Sequence, residues 1–270
     1  MRSHVLRTVL AICCALASLA KATPSGNPVD ARKLVIQIQR ADYHGDRAEL
    51  QKLFGALSPL ADDKQIGSRV RYWRGFALWR RAFNGFNDSV DSKELEKDLN
   101  GAIAEFEQSS ASDPKFWDPK IAIYSCEMTL MYLHMRDQEA VQAHLAKLSA
   151  LLKELQVSAL DNPRYYWVLG TGLWYRPEQG GGGQGPAFLA YGKGLEIVHA
   201  QRSTTVDPLE PSWGEPELLM NLAWSSMHRS QPDLVAAEKY AQSALTLVPD
   251  WHYVRDILLP QIREAKTKKS

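Results

Sequence analysis

The chain has few cysteines, and this excludes a disulfide-stapled fold. It carries three cysteines in 270 residues. Cys13 and Cys14 lie in an N-terminal segment that resembles an export signal, which leaves Cys126 in the mature chain. A single cysteine cannot form an intramolecular disulfide. Because unpaired cysteines are usually small buried hydrophobes, we expect Cys126 to be a core residue and not a nucleophile.

Long apolar runs are also missing. The longest uncharged apolar run, Thr8 to Ala20, has 13 residues, fewer than the ~20 that a membrane-spanning helix needs. Arg2 and Arg7 precede it, and Ala20-Lys21-Ala22 fits a small-residue cleavage site. These features predict a signal peptide, residues 1–22, and a periplasmic or secreted chain. A lipid anchor on Cys13 is the alternative, although isoleucine stands where a lipobox needs a small residue.

The chain has no excess of charge of either sign. Removal of residues 1–22 leaves 29 basic and 31 acidic residues, a net charge of −2. A nucleic-acid-binding protein needs a concentrated basic field, so this class is excluded. The next residues, 23–28, predict a short disordered lead. Residues 29–270 are then expected to form one helical domain.

Catalytic and metal-binding motifs are absent as well. The histidines form no H-E-x-x-H pattern, and no G-x-S-x-G elbow occurs. The glycine-rich stretch Gly180 to Gly185 lacks the Gly-Lys-Ser/Thr ending of a phosphate loop, and we expect it to be a turn between helices. The sequence therefore predicts a protein that is not an enzyme and holds no metal and no cofactor.

The pattern that is present is helical. Apolar residues recur at helical spacing between Gly and Pro breaks, and no sustained alternation predicts a strand. Three helix pairs are clearest, at about 68–115, 163–200 and 216–250. A terminal helix, Asp250 to Lys266, is expected to kink or break at Pro260. The sequence therefore predicts an all-α fold.

The stretch from Asp98 to Pro114 identifies the type of repeat. Ala102, Phe106 and Pro114 have the A-x3-F…P spacing, and Gly75 takes the small position of the preceding helix. With these residues the chain resembles the tetratricopeptide repeat family. In that family, small residues let two helices approach, an aromatic ring fills the gap beside them, and proline ends the second helix.

Two further copies support the resemblance. The second copy has Gly170 in its first helix and Ala187 and Tyr191 in its second, and the third has Ala223 followed by Ala237. All three spacings exceed the roughly 12 positions of the family pattern: 27 from Gly75 to Ala102, 17 from Gly170 to Ala187 and 14 from Ala223 to Ala237. The longest predicts an insertion in its turn. The resemblance implies a helical-hairpin solenoid, a single right-handed superhelical domain with a C-terminal capping helix.

In this family the first helices of the repeats line an inner groove that binds partner segments. Trios at spacing i, i+4 and i+7 share one face of each first helix here, and aromatic residues dominate binding hot spots. An aromatic stripe at helical spacing is equally the mark of a core, and both interpretations stay open. The candidate ligand-binding residues are Arg69, Tyr72, Phe76, Trp79, Arg164, Trp167, Trp174, Met220 and Trp224.

Two functions follow from these patterns. The first is an exported, non-enzymatic scaffold that binds a protein or peptide segment in the aromatic groove. The alternative is a small-molecule carrier or a transporter-accessory binding protein, since eight Trp and ten Tyr could line an apolar cavity. Most arginines of the 69–81 segment are expected to be solvated, although some could bind carboxylates of a partner.

Overall fold

The computed structural model describes residues 28–201 and 207–269. The predicted signal peptide, its cleavage site after Ala22 and most of the predicted lead at 23–28 lie outside the described residues. Pro28 differs from the prediction because it begins the first helix. Proline suits a first turn, where the N–H that it lacks would have no helical partner. Within the described ranges, no helix is both long and apolar enough to cross a bilayer.

Eleven α-helices make up most of the described chain, in which no strand occurs. A π-helical segment, Tyr253–Leu258, leads directly into the last helix. The helices are α1 (Pro28–His44), α2 (Arg47–Ala56), α3 (Gly67–Asn87), α4 (Ser92–Ser112), α5 (Asp118–Leu133), α6 (Gln138–Ser158), α7 (Pro163–Tyr175), α8 (Gln184–Ala200), α9 (Glu215–His228), α10 (Leu234–Leu247) and α11 (Leu259–Lys269).

Successive helices pack in pairs, most closely α3 with α4, α7 with α8, and α9 with α10. The odd-numbered helices α1, α3, α5, α7 and α9 also contact one another in chain order, and they form an inner layer. The even-numbered helices lie outside this layer, and α11 packs against α10. This arrangement confirms the predicted all-α helical-hairpin solenoid with its capping helix.

Two glycines set the close approach within the hairpins. A Cβ at Gly75 would lie 2.7 Å from the ring of Phe106, and a Cβ at Gly170 would lie 2.3 Å from the ring of Tyr191. Both rings are buried. Glycine is therefore needed because the aromatic side chain of the second helix occupies the space where a methyl group would be.

The insertion predicted between Gly75 and Ala102 is wrong. The connection is short, and the extra residues are helical, since α3 and α4 each have 21 residues. Asp91 begins α4 by accepting a hydrogen bond from the Lys93 backbone N–H at 2.9 Å. Near the C-terminus, the distortion predicted at Pro260 lies in the π-helical turn just before it, where one wider turn accommodates the missing proline N–H.

The two ends of the solenoid meet. The Tyr43 ring of α1 packs edge-on against Trp251, with 5.1 Å between ring centroids. The Tyr43 hydroxyl donates a hydrogen bond of 2.8 Å to Glu217 of α9. The first helix therefore contacts the last hairpin, α9 and α10, and the inner layer closes around the surface at its centre.

Candidate functional site

The centre of the inner layer is aromatic and fully covered. Four predicted groove residues, Tyr72, Phe76, Trp79 and Trp167, are at most 5% exposed; we call them the centre. They are covered by Trp213, whose ring centroid lies 5.9 Å from Phe76, 5.5 Å from Trp79 and 5.6 Å from Trp167. The four rings are therefore packed as core side chains. A role for them in binding stays a prediction.

Trp213 belongs to residues 207–214, a segment that we call the strap. Three hydrogen bonds hold the strap on the inner layer. The Trp213 indole donates to the Tyr72 hydroxyl at 2.7 Å, Trp73 donates to the Leu209 carbonyl at 2.8 Å, and Arg164 donates to the Trp213 carbonyl at 3.1 Å. Because each of these polar atoms has a partner, the hydrogen bonds offset the desolvation cost of burying the strap.

Ion pairs fix the start of the strap. Arg32 binds Asp207 at 2.5 Å, and Arg69 binds both Glu210 at 2.8 Å and Asp113 at 2.9 Å. The hydrogen bond from Arg32 lowers the pKa of Asp207, and the hydrogen bond from Arg69 lowers that of Asp113. The predicted site residue Arg69 therefore uses its guanidinium to join α3, the α4–α5 turn and the strap.

The expectation that the α3 arginines are mostly solvated is wrong. Arg74 is 8% exposed and binds Glu105 at 2.7 Å, and Arg80 is 6% exposed and binds Asp42 at 2.8 Å. Arg71 and Arg81 are also bound to carboxylates. The carboxylates come from neighbouring helices and turns that the sequence spacing does not bring together.

A buried cluster of charged side chains lies where the two ends of the solenoid meet. Asp42, Arg80 and Glu217 are each at most 6% exposed. Burial raises the pKa of Glu217, and burial raises that of Tyr43 well above its ordinary value. The Tyr43 hydroxyl and the Gly214 backbone N–H, at 2.7 Å, both donate to the Glu217 carboxylate. The network ties α1, α3 and α9 to the end of the strap.

The other end of the inner layer is open. Trp174 of α7 and Trp224 of α9 are half-buried, and their ring centroids lie 5.5 Å apart. Phe188 of α8 lies 6.4 Å from Trp174, and exposed His228 stacks on Trp224 at 4.1 Å with an interplanar angle of 21°. We call Phe188, Trp174, Trp224 and His228 the aromatic ladder. It offers continuous apolar ring surface, part of which faces solvent.

A cation borders the ladder. The Arg229 guanidinium lies 5.6 Å from the Phe188 ring centroid, and its side chain is exposed. A guanidinium in this position can bind a carboxylate on a ligand that lies against the rings. The ladder therefore combines apolar surface with an anion-binding group at its edge.

Two cavities lie beside the strap rather than at the ladder. One of about 450 Å³ lies between α1, the strap and the end of α10, and it includes Tyr43 and Asp250. The other, of about 650 Å³, is lined mostly by charged and polar residues such as Asp62, Lys64 and Arg71. Charged walls make the second cavity unsuited to an apolar ligand. The first is lined by apolar and charged side chains together, and Tyr43 is its one phenol or indole ring among the described residues, so the ladder with its contacting rings is the better candidate for a flat apolar ligand.

The structure divides the nine predicted residues between these regions. Four form the centre, Arg69 and Arg164 hold the strap, and Trp174 and Trp224 belong to the ladder. Met220 is half-buried and packs against the C-terminal core. Sequence reasoning missed Trp213, Phe188 and His228. For Trp213 a signal was present, since a tryptophan in a proline-containing connection needs apolar cover.

No family model and no curated protein sequence matches the chain. Among solved structures, the HusA haemophore from Porphyromonas gingivalis is similar, with a TM-score of 0.61 and 18% sequence identity. The match covers 77% of this chain and 98% of the haemophore. At this level of identity the likeness is one of fold, and it agrees with the all-α architecture described above.

Proposed function

We propose that this protein is a non-catalytic binding protein that acts outside the cytoplasm and carries a flat, apolar small molecule of the tetrapyrrole class. The observation that carries the proposal is the aromatic ladder, a set of contacting rings left partly open beside a guanidinium. A tetrapyrrole has broad apolar faces and carboxylates at its edge, which match the rings and Arg229. A protein of similar fold is named a haemophore, which supports this class of ligand.

The ladder suits this ligand better than the centre does. The rings of the centre are already packed against Trp213, whereas Trp174 and Trp224 keep part of their surface in contact with solvent. Contiguous apolar surface in water is a common mark of a binding site. Covering it gains roughly 25 cal/mol per Å² of apolar area, so a flat ligand would stabilise this end of the molecule.

Two sequence features support the cellular location and the repeat type. Arg2, Arg7 and the apolar run that follows them have the order of an export signal. The Gly75–Phe106 and Gly170–Tyr191 contacts are the small-to-aromatic pairs that the tetratricopeptide repeat resemblance implies. We therefore propose an exported protein whose hairpins are of this repeat type.

A porphyrin titration tests the proposal. Iron-free protoporphyrin IX is added to the purified mature protein, and tryptophan quenching and porphyrin absorbance are followed. We expect saturable binding that weakens by about tenfold or more in a Trp174→Ala, Trp224→Ala double variant. Trp117→Ala is the matched control, because Trp117 is also half-buried but lies at the start of α5 beside Lys120. The proposal fails if the wild type does not bind, or if the double variant binds equally well.

A second candidate is a scaffold that binds a protein or peptide segment at the centre. The observation that favours it is that the indole N–H groups of Trp79 and Trp167 are buried with no acceptor in the described part of the chain. A backbone carbonyl of a bound segment could accept from them if the strap moved away. Crosslinked capture from the extracytoplasmic fraction tests this candidate, which requires crosslinks to a protein at the centre and fails if none form there.

A further inference from the structure

His228 has the geometry of a metal ligand. It is the last residue of α9, and its Nδ1 lies 2.8 Å from the Trp224 carbonyl oxygen. A carbonyl oxygen only accepts, so Nδ1 carries the proton and Nε2 of the neutral ring keeps its lone pair. Among the described residues Nε2 has no hydrogen-bond partner, and the side chain is exposed.

This hydrogen bond is the one that metal-binding histidines typically make. A ligating imidazole usually donates its other N–H to a backbone carbonyl or a carboxylate, which fixes the tautomer and the direction of the ring. Stacking on Trp224 fixes the ring further. His199 provides the contrast, because its Nε2 is already 3.1 Å from a Glu215 carboxylate oxygen.

The surroundings point to an iron porphyrin and not to a free ion. No group of three or more His, Cys, Asp or Glu side chains could hold a metal ion in ranges 28–201 and 207–269. A free ion at His228 would therefore have at most two such ligands among the described residues, whereas haem iron can be held through a single histidine. The apolar rings around His228 would hold the macrocycle itself.

We propose that Nε2 of His228 ligates the iron of a haem bound on the aromatic ladder, with Arg229 binding one of its carboxylates. This inference rests on the proposed function. The Trp224 ring lies within 21° of the imidazole plane, and Trp174 is inclined by 70° to Trp224, so the ladder presents rings in two orientations that would hold the macrocycle.

The test compares hemin with iron-free protoporphyrin IX on two variants. His228→Phe keeps a ring to stack on Trp224 but removes the nitrogen ligand. We expect hemin affinity to fall by about tenfold or more and the Soret band of the complex to shift. Affinity for the iron-free porphyrin should stay within about twofold of wild type. His199→Phe, the control, also changes an exposed histidine in the last turn of its helix, and it should change neither affinity.

The outcomes separate the two proposals. If the wild type binds neither hemin nor iron-free protoporphyrin IX, the proposed function is overturned. Binding of both probes with an unchanged hemin affinity and Soret band in His228→Phe overturns the ligation alone. An equal loss of both probes in that variant also overturns ligation, because the ring would then act through packing. Added imidazole should restore the wild-type Soret band in His228→Gly, and no recovery would contradict ligation.

Discussion

Trp167 and Trp174 lie seven residues apart on the same helix and have different environments. Trp167 is 5% exposed and packs against Trp213, whereas Trp174 is half-buried and meets Trp224 at an open surface. Two turns of helix place both rings on related faces. The difference comes from the strap, which covers one and stops short of the other. A connection outside the repeats thus decides which part of an inner face is core and which part can bind.

The two regions also differ in their polar chemistry. Around the centre, hydrogen bonds and ion pairs hold the strap on both sides, as the bonds of Tyr72 and Arg69 show. Two buried indole N–H groups without an acceptor in the described part of the chain, those of Trp79 and Trp167, lie beneath it. At the ladder, His228 Nε2 has no partner among the described residues. Polar groups that the fold has already satisfied stabilise structure, and groups left over at an apolar surface are available to a ligand.

The largest expected effect comes from removing the ring that fills the centre. Trp213→Ala should lower the free energy of unfolding by about 3–5 kcal/mol, because it leaves a cavity among four aromatic rings. Trp224→Ala should cost clearly less, since its ring is half-buried. Urea unfolding followed by circular dichroism measures both. Equal losses of unfolding free energy in the two variants would contradict the distinction between a filled centre and an open ladder.

The closing charge network should be nearly as sensitive. Arg80→Met leaves Asp42 and Glu217 buried without their cation, and we expect a loss of about 3–5 kcal/mol. Arg255→Met, which removes an exposed pair with Asp256, is the control and should leave the urea midpoint unchanged. If Arg80→Met unfolds at the same urea concentration as the wild type, the contact between the two ends of the solenoid contributes little to stability.

A smaller effect tests the hairpin packing that supports both regions. Gly170→Ala should cost about 1–3 kcal/mol, because its methyl group would overlap the Tyr191 ring. Gly192→Ala, in α8, has nothing within 4 Å of the added methyl group and should stabilise by about 0.5–1 kcal/mol through helix propensity. The midpoint temperatures of thermal unfolding of the two variants should therefore shift in opposite directions from that of the wild type. Shifts in the same direction would contradict the overlap inferred at Gly170.

The smallest effect is a pH dependence of the strap. Ion pairing lowers the pKa of Asp207 and of Asp113 below the ordinary 3.8. Since the unfolded chain binds protons at higher pH than these groups do when folded, their stabilisation is present above the unfolded pKa and is lost as the pH falls through the lowered values. Asp207→Asn should reduce the slope of unfolding free energy against pH between about pH 5 and about pH 2. An unchanged slope would show that the ion pair of Asp207 does not stabilise the folded protein.

The sequence predicted the fold well because helical periodicity is a local signal. The A-x3-F spacing located Phe106, and the glycine before it marked the close approach of α3 and α4. The pairing of Arg80 with Asp42 could not be predicted, because its partners are 38 residues apart and no local spacing relates them. The cover of the centre was missed for the same reason, since Trp213 reaches Tyr72 across 141 positions.

Hydrogen–deuterium exchange with and without bound iron-free protoporphyrin IX tests most directly whether the ladder, and not the centre, receives the ligand. We expect greater protection of the end of α9 around Trp224 and His228, with protection of the strap, residues 207–214, unchanged. Loss of protection in the strap on ligand binding, without a gain at the end of α9, would contradict this expectation and would make the covered centre the binding site.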